Sequence, residues 1–330
     1  MNYLNRITLN FIGIILLSGF TLPGLMAQKP AYNLFREDGK KVKYEKMSEE
    51  ASEADIVLFG EYHTNPIAHW LQLELTGDLY EARGKELILG AEMFEADNQL
   101  ILNEYLSGQI TEDKFEEEAR LWNNYLTDYK PLVLIAKENQ LGFVATNIPR
   151  RYANMVFKRG LVSLDSLSDE AKSYMMPLPL EYDKTLNCYM QLMGGEDSPV
   201  ANTPMTRTAE PEADTTASGD EPPVHAGMMS PMGGHASSNL VDAQAIKDAT
   251  MAHFIMKHWE PGKLLIHYNG AYHSDEFESM YWFLKRANPD LKIVTISTVS
   301  QDDIEELEEE SHGKADFIIA VPSNMTQTNR

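Results

Sequence analysis

Cysteine is almost absent from this chain of 330 residues, and Cys188 is the only one. One thiol cannot close an internal disulfide, so the fold must hold without one. Positive charge is scarce as well: 28 Lys and Arg stand against 50 Asp and Glu, a formal net charge of −22. Nucleic-acid binding rests on Lys and Arg neutralising phosphates, so this balance argues against a nucleic-acid partner and disfavours anionic membrane surfaces. Neither G-x-G-x-x-G nor a P-loop occurs, which removes the usual cradles for nucleotide phosphates. No G-x-S-x-G elbow occurs either, which weakens a serine-hydrolase reading.

What is present starts with a leader. Arg6 precedes an apolar run from Phe11 to Leu22, and Ala27 suits the position before a cut, although Leu25 is larger than usual at the −3 position. Residues 1–27 therefore read as a signal peptide, with the mature chain starting at Gln28. No Cys follows the run, so a lipoprotein anchor is excluded. The expected location is the periplasm or the outer-membrane and extracellular side of a Gram-negative bacterium.

Short apolar runs at 55–59, 86–91, 141–146, 263–267, 291–297 and 315–321 read as strands. Amphipathic stretches between them read as helices, at 66–83, 96–106, 111–121, 129–139, 150–159 and 275–286. The alternation predicts an α/β fold, a mostly parallel doubly wound sheet flanked by helices. Residues 28–165 form the first part of that core and 261–330 the second. Between them, 166–260 reads as a small inserted helical cap, with helices at 168–193 and 240–259. The segment 194–238, rich in Pro, Gly, Ser and Thr, reads as a disordered loop. The acidic run 302–310 reads as a solvated helix face.

Two of the strands end alike. "DIVLFGEYH" runs into Gly60-Glu61-Tyr62-His63, and "KLLIHYNGAYH" runs through His267, Tyr268 and Asn269 into Gly270-Ala271-Tyr272-His273. Ligands of open parallel sheets bind beyond the carboxyl ends of the strands. There the second strand delivers Glu92 and Glu95, and the third delivers Asn147, Arg150 and Arg151. A chain that needed only a core has no reason to place polar groups at the same end of four strands. Each group also has a plain alternative. A lone His is more often structural, Glu95 fits the start of the next helix, and Arg151 fits an exposed helix face. Together, His63, Glu92 and His273 could hold a divalent metal with an open position, with Glu61 or Glu92 as the catalytic base. The same groups with Tyr268 and Tyr272 could bind a large planar cofactor, since imidazole and phenolate both ligate haem iron. Arg150 suits a carboxylate or propionate. His225 and His235, with Met228, Met229 and Met232, suit a soft metal such as copper or a haem iron.

The ordered segments around Gly60-Glu61-Tyr62-His63, Glu92 and Gly270-Ala271-Tyr272-His273 resemble the Tiki/TraB superfamily. Within it, "LFGEYHTNPIAH", "GAEMFE", "DYKPLVLIAKENQLGFVATNIPRR" and "AQAIKDATMAHFI" are similar to the ChaN-like haem-binding uptake proteins. The last of these places Gln244, Asp248 and Met251 on one helix face. The resemblance spans roughly residues 55–321. It implies haem binding in iron acquisition, an outer-membrane haem receptor as partner and, in some members, a homodimer enclosing paired haems on Tyr and His ligands. Other branches of the superfamily are metal-dependent peptidases, and a hydrolase of that kind is the alternative to a haem carrier.

Overall fold

The computed structural model describes residues 29–193 and 234–328, with side chains from 238 onward in the second stretch. The fold belongs to the unit Ala31–Arg330. Seven strands form one sheet: β1 (Asn33–Arg36), β2 (Ile56–Glu61), β3 (Leu87–Glu95), β4 (Gly142–Asn147), β5 (Leu264–Gly270), β6 (Ile293–Gln301) and β7 (Phe317–Pro322). Their spatial order is β1-β7-β6-β2-β5-β3-β4. All pairings are parallel except that of β1 with β7. The expected α/β architecture is therefore the observed one. The edge strand β1 was not expected, because four residues are too few to show a period.

The helices are α1 (Tyr44–Ser52), α2 (Pro66–Arg83), α3 (Gln99–Leu106), α4 (Glu112–Glu118), α5 (Lys130–Glu138), α6 (Arg150–Arg159), α7 (Asp169–Lys172), α8 (Asn187–Leu192), α9 (Gly234–His258) and α10 (Met280–Ala287). Successive strand residues face opposite sides of the sheet. Val57 and Phe59 of β2 pack with Leu71, Leu75 and Leu79 of α2. Ile56 and Leu58 pack with Met251 and Ile255 of α9 and with Met280 and Leu284 of α10. Because both faces are covered, β2 is buried along its whole length, which is why its sequence is a continuous apolar run.

The strand order fixes the place of the site. From β2 the chain crosses outward to β3 and β4, returns to β5 between β2 and β3, and then leaves in the other direction for β6 and β7. The reversal puts both Gly-x-x-His segments side by side, with Gly60 opposite Asn269 and Glu61 opposite Gly270. On the other side of β5, Ala91 pairs with Tyr268, so Glu92 follows next to the same strand end. Gly60 is required by this approach: a Cβ there would lie 2.8 Å from the Ala271 Cα.

Three expected helices are corrected. In 275–286 the helix starts only at Met280, after Glu276, Phe277 and Ser279 adopt positive φ of 60°, 58° and 50°. That loop is held by Glu278, whose carboxylate accepts the N–H groups of Asn187 (3.0 Å) and Cys188 (2.7 Å). In 168–193 only α7 and α8 are α-helical, because Pro177 and Pro179 push their predecessors out of the helical region. In 302–310 only a short 3-10 turn at Glu309–Ser311 forms, since like charges three and four residues apart repel along a helix. The leader 1–27 and most of the Met/His segment lie outside the described residues. The backbone of α9 includes position 235, but the side chain there is outside them too, as is His225.

Candidate functional site

Beyond the carboxyl ends of β2, β5 and β3 sits a buried cluster of acids and histidines. Glu61, the last residue of β2, is buried. Its Oε1 accepts from His63 Nδ1 at 2.9 Å and from the Tyr129 hydroxyl at 2.7 Å. Its Oε2 accepts from Gln72 and lies 3.3 Å from His69 Nδ1. Gln72 and His69 come from the first turns of α2. That helix is aimed by Asn65, whose side chain caps the N–H groups of Ile67 and Ala68 at 3.0 Å. Burial works against the charge on Glu61, but His69, His63 and Tyr129 outweigh it and hold the carboxyl below its usual range. His69, whose Nε2 also lies 3.3 Å from Asp128, supports this network from below.

The second half centres on His273. It is buried between two carboxylates, with Glu92 Oε1 at 3.2 Å from Nε2 and Asp248 Oδ1 against Nδ1. Burial disfavours the charged ring, yet Glu92 and Asp248 push its pKa up to about 10. Burial also opposes charge on Glu92, but His273 and the Gly270 N–H, which donates at 2.8 Å, hold it well below the usual carboxylate range. Asp248 reaches the site because α9 lies on the sheet face shared by Leu265 and His267, with Met251 and Ile255 packed beneath it. Its second oxygen accepts from the Tyr189 hydroxyl at 2.8 Å.

The two halves meet over Gly270. A Cβ at that position would lie 2.9 Å from His63 Nε2 and 3.6 Å from Glu92 Oε2. The imidazole of His63 leans into the space that the missing side chain leaves, with the Trp122 ring edge-on at 4.9 Å. An ionised carboxylate only accepts, so His63 carries its proton on Nδ1 toward Glu61. Among the described residues Nε2 makes no hydrogen bond. His63 is also the histidine of the cluster that reaches the surface, its side chain 17% exposed against 6% for His273. Tyr62 beside it is exposed.

The structure thus brings Glu61, His63, Glu92 and His273 together. It places the other expected residues elsewhere. Tyr268 points to the opposite face of the sheet, fully buried, its hydroxyl 2.6 Å from Thr76 Oγ1. It has no route to a ligand at the strand ends. His267 is fully buried between Thr146 (2.7 Å) and Asn269 (3.2 Å), and burial pushes its pKa down to about 4, so it is neutral. The Tyr272 hydroxyl donates to the Cys188 carbonyl. Arg150 binds Glu95, and so does Arg120 at 3.1 Å. Glu95 is therefore an ion-pair partner and not a helix cap. Arg151 binds Asp97 at 2.6 Å. Reasoning from residue types missed Tyr129, Tyr189 and Arg120. Nothing in their local sequence marks them: Arg120 reaches Glu95 from the loop after α4, Tyr129 reaches Glu61 from the turn before α5, and Tyr189 reaches Asp248 from α8.

As for a metal, no group of three or more His, Cys, Asp or Glu among the described residues is arranged to hold one. Both ring nitrogens of His273 face carboxylates, Nε2 toward Glu92 and Nδ1 toward Asp248. Copper at His225 and His235 falls outside the described residues.

The class is thus an α/β protein with a mostly parallel sheet, whose two Gly-x-x-His strand ends meet around a buried glutamate. Residues 47–284 match the family described as haem-binding uptake, Tiki superfamily, ChaN, and the chain belongs to that family. No curated protein matches it. Among solved structures, ChaN of Campylobacter jejuni, reported with cofacial haem binding, is similar at a TM-score of 0.59 and 16% identity. That match covers 87% of this chain and 96% of that one, and at that identity the likeness is one of fold. An erythromycin esterase mutant, EreC, in its open conformation has a TM-score of 0.46 at 10% identity, covering 90% and 98%. A succinoglycan biosynthesis protein has 0.45 at 10%, covering 88% and 94%. Both are too distant to bear on function.

Proposed function

We propose that this protein binds haem at the carboxyl ends of β2, β5 and β3 and serves haem or iron acquisition. The observation that carries the reading is His63. Its Nδ1 is fixed by a buried carboxylate, which is the arrangement that orients a metal-binding imidazole and raises its basicity. Its Nε2 is uncommitted, and its ring opens to the surface. Tyr62, its exposed neighbour in the chain, is a phenol that could serve as a second ligand, and Arg150 at the same strand ends suits a propionate. Membership of the ChaN family supports haem as the ligand. The leader-like residues 1–27 support export, which would place the protein where an outer-membrane haem receptor or a second copy of the chain could meet it. Titrating the mature chain with haem and following the Soret band tests this. The reading expects a saturable, shifted band at low micromolar haem, and a band no different from that of haem in buffer refutes it.

The second reading, a metal-dependent hydrolase with His63, Glu92 and His273 as ligands, draws on the same cluster. It expects a stoichiometric divalent ion and peptidase activity that a chelator abolishes. The geometry weighs against it, because no group of three or more His, Cys, Asp or Glu among the described residues is arranged to hold a metal.

A further inference from the structure

The loop that carries His63 is tied down by segments far from it in the chain. Between β2 and α2, the Tyr62 carbonyl accepts the Asn65 N–H at 2.8 Å. The His63 carbonyl accepts from Asn124 Nδ2 at 2.8 Å and from His69 Nε2 at 3.1 Å. The Thr64 carbonyl accepts the Thr328 N–H at 2.9 Å. One partner satisfies a carbonyl; that of His63 has two, and both lead to the same carboxylate. Asp128 Oδ2 accepts from Asn124 Nδ2 at 2.7 Å and from the Thr328 hydroxyl at 2.8 Å, and lies 3.3 Å from His69 Nε2. Asp128 is buried, and a buried carboxylate needs such donors. The segment 323–328, which follows β7, starts beside Gln301, whose carbonyl accepts the Ser323 N–H at 2.9 Å, and is fastened to this carboxylate at Thr328.

Asp128 and Tyr129 belong to one π-helical turn, Tyr125–Tyr129, a form often found at functional sites. Its two neighbours divide the work. Tyr129 reaches the His63 side chain through Glu61, donating to Oε1 at 2.7 Å, and Asp128 reaches the His63 main chain through Asn124 and His69. Asn65 by itself caps α2, so the ties on His63 exceed what joining β2 to α2 requires. A partly exposed ring on a backbone held this way keeps its geometry before a ligand arrives.

We propose that Asp128 is a positioning residue: with the segment 323–328 it fixes the backbone of residues 62–65 and so presents the His63 imidazole to its ligand. The proposal rests on the reading of His63 as a haem ligand and deepens it.

The proton on His63 Nδ1 reads this arrangement without haem, by NMR of the apoprotein. Its exchange with water should be about tenfold faster in Asp128→Asn than in the wild type, the change expected from losing about one hydrogen bond to a charged group. Thr328→Val removes one tie only; it should act in the same direction and more weakly, and it carries the test if Asp128→Asn does not fold. Haem affinity should fall about tenfold in Asp128→Asn, with the Soret band of the bound form displaced. Exchange unchanged in the folded variants overturns the proposal and leaves the haem reading standing. Faster exchange with the haem affinity and band unchanged also overturns it, because the ties would then serve the fold alone. A wild type with no saturable haem band overturns the haem reading, and the exchange rates then still decide whether Asp128 positions His63.

Discussion

Gly270 and His63 share one small volume, and that makes position 270 a test of the site. Its φ of −58° suits any residue, so the backbone does not demand glycine there. The close approach of His63 Nε2 does. Gly270→Ala should leave the fold intact and push the imidazole off its perch, weakening ligand binding about tenfold or more, since misplacing a ligating group costs on that order. Thermal melting and a haem titration check the two halves of the statement. Unchanged affinity would mean that the position of His63 does not matter to binding.

His273 sets the response to pH. Its folded pKa of about 10 lies above its ordinary 6.5. The contribution of the charged ring is therefore full below about 6.5 and is lost progressively as pH rises from there through about 10. Glu92, shifted down, contributes above its ordinary 4.5 and loses that contribution as pH falls through its depressed folded value. His273→Gln should cost about 3–5 kcal/mol near neutrality, because it leaves two carboxylates buried without their cation. It should also flatten the fall of melting temperature between pH 7 and about pH 10. A wild type and a variant that decline in parallel would place the source of alkaline sensitivity elsewhere.

At the scale of elements, the strands were legible because both faces of the sheet are covered, so each reads as an unbroken apolar run. The same cause hid which strand residues matter. His267 and Tyr268 are adjacent in sequence and point to opposite faces, one toward α9 and the other into the core against Thr76. Residue type alone could not separate them, but the period of two in the strand could have done so. The paired Gly-x-x-His segments and Glu92 were legible as a set. The partners Tyr129, Tyr189 and Arg120 were not, because each arrives from a distant helix or turn. α2 ties element to site. Asn65 caps its first turn and so fixes the helix that carries His69 and Gln72 to Glu61. Asn65→Ala should cost about 1 kcal/mol, measurable by chemical denaturation. It should also loosen the Glu61 network, which proton exchange at the His69 ring would report. A cost near zero would show that packing alone aims the helix.

At the scale of the whole molecule, an acidic chain gathers Arg120, Arg150 and Arg151 at one end of its sheet, in ion pairs with Glu95 and Asp97. The sheet order explains why that end gathers the polar cluster. Only there do β2, β5 and β3, drawn from separate parts of the sequence, deliver their terminal residues together. The described helices include none long and apolar enough to cross a membrane. The central claim is that haem is held by His63 at these strand ends. The most direct measurement is the Soret spectrum of the haem complex of His63→Ala beside that of the wild type, at saturating haem. The account predicts a displaced or lost band and an affinity about tenfold or more weaker, with the apoprotein melting temperature lowered only by the loss of one hydrogen bond to the Glu61 carboxylate. An identical band at identical affinity would contradict it and move the iron to a ligand elsewhere in the chain.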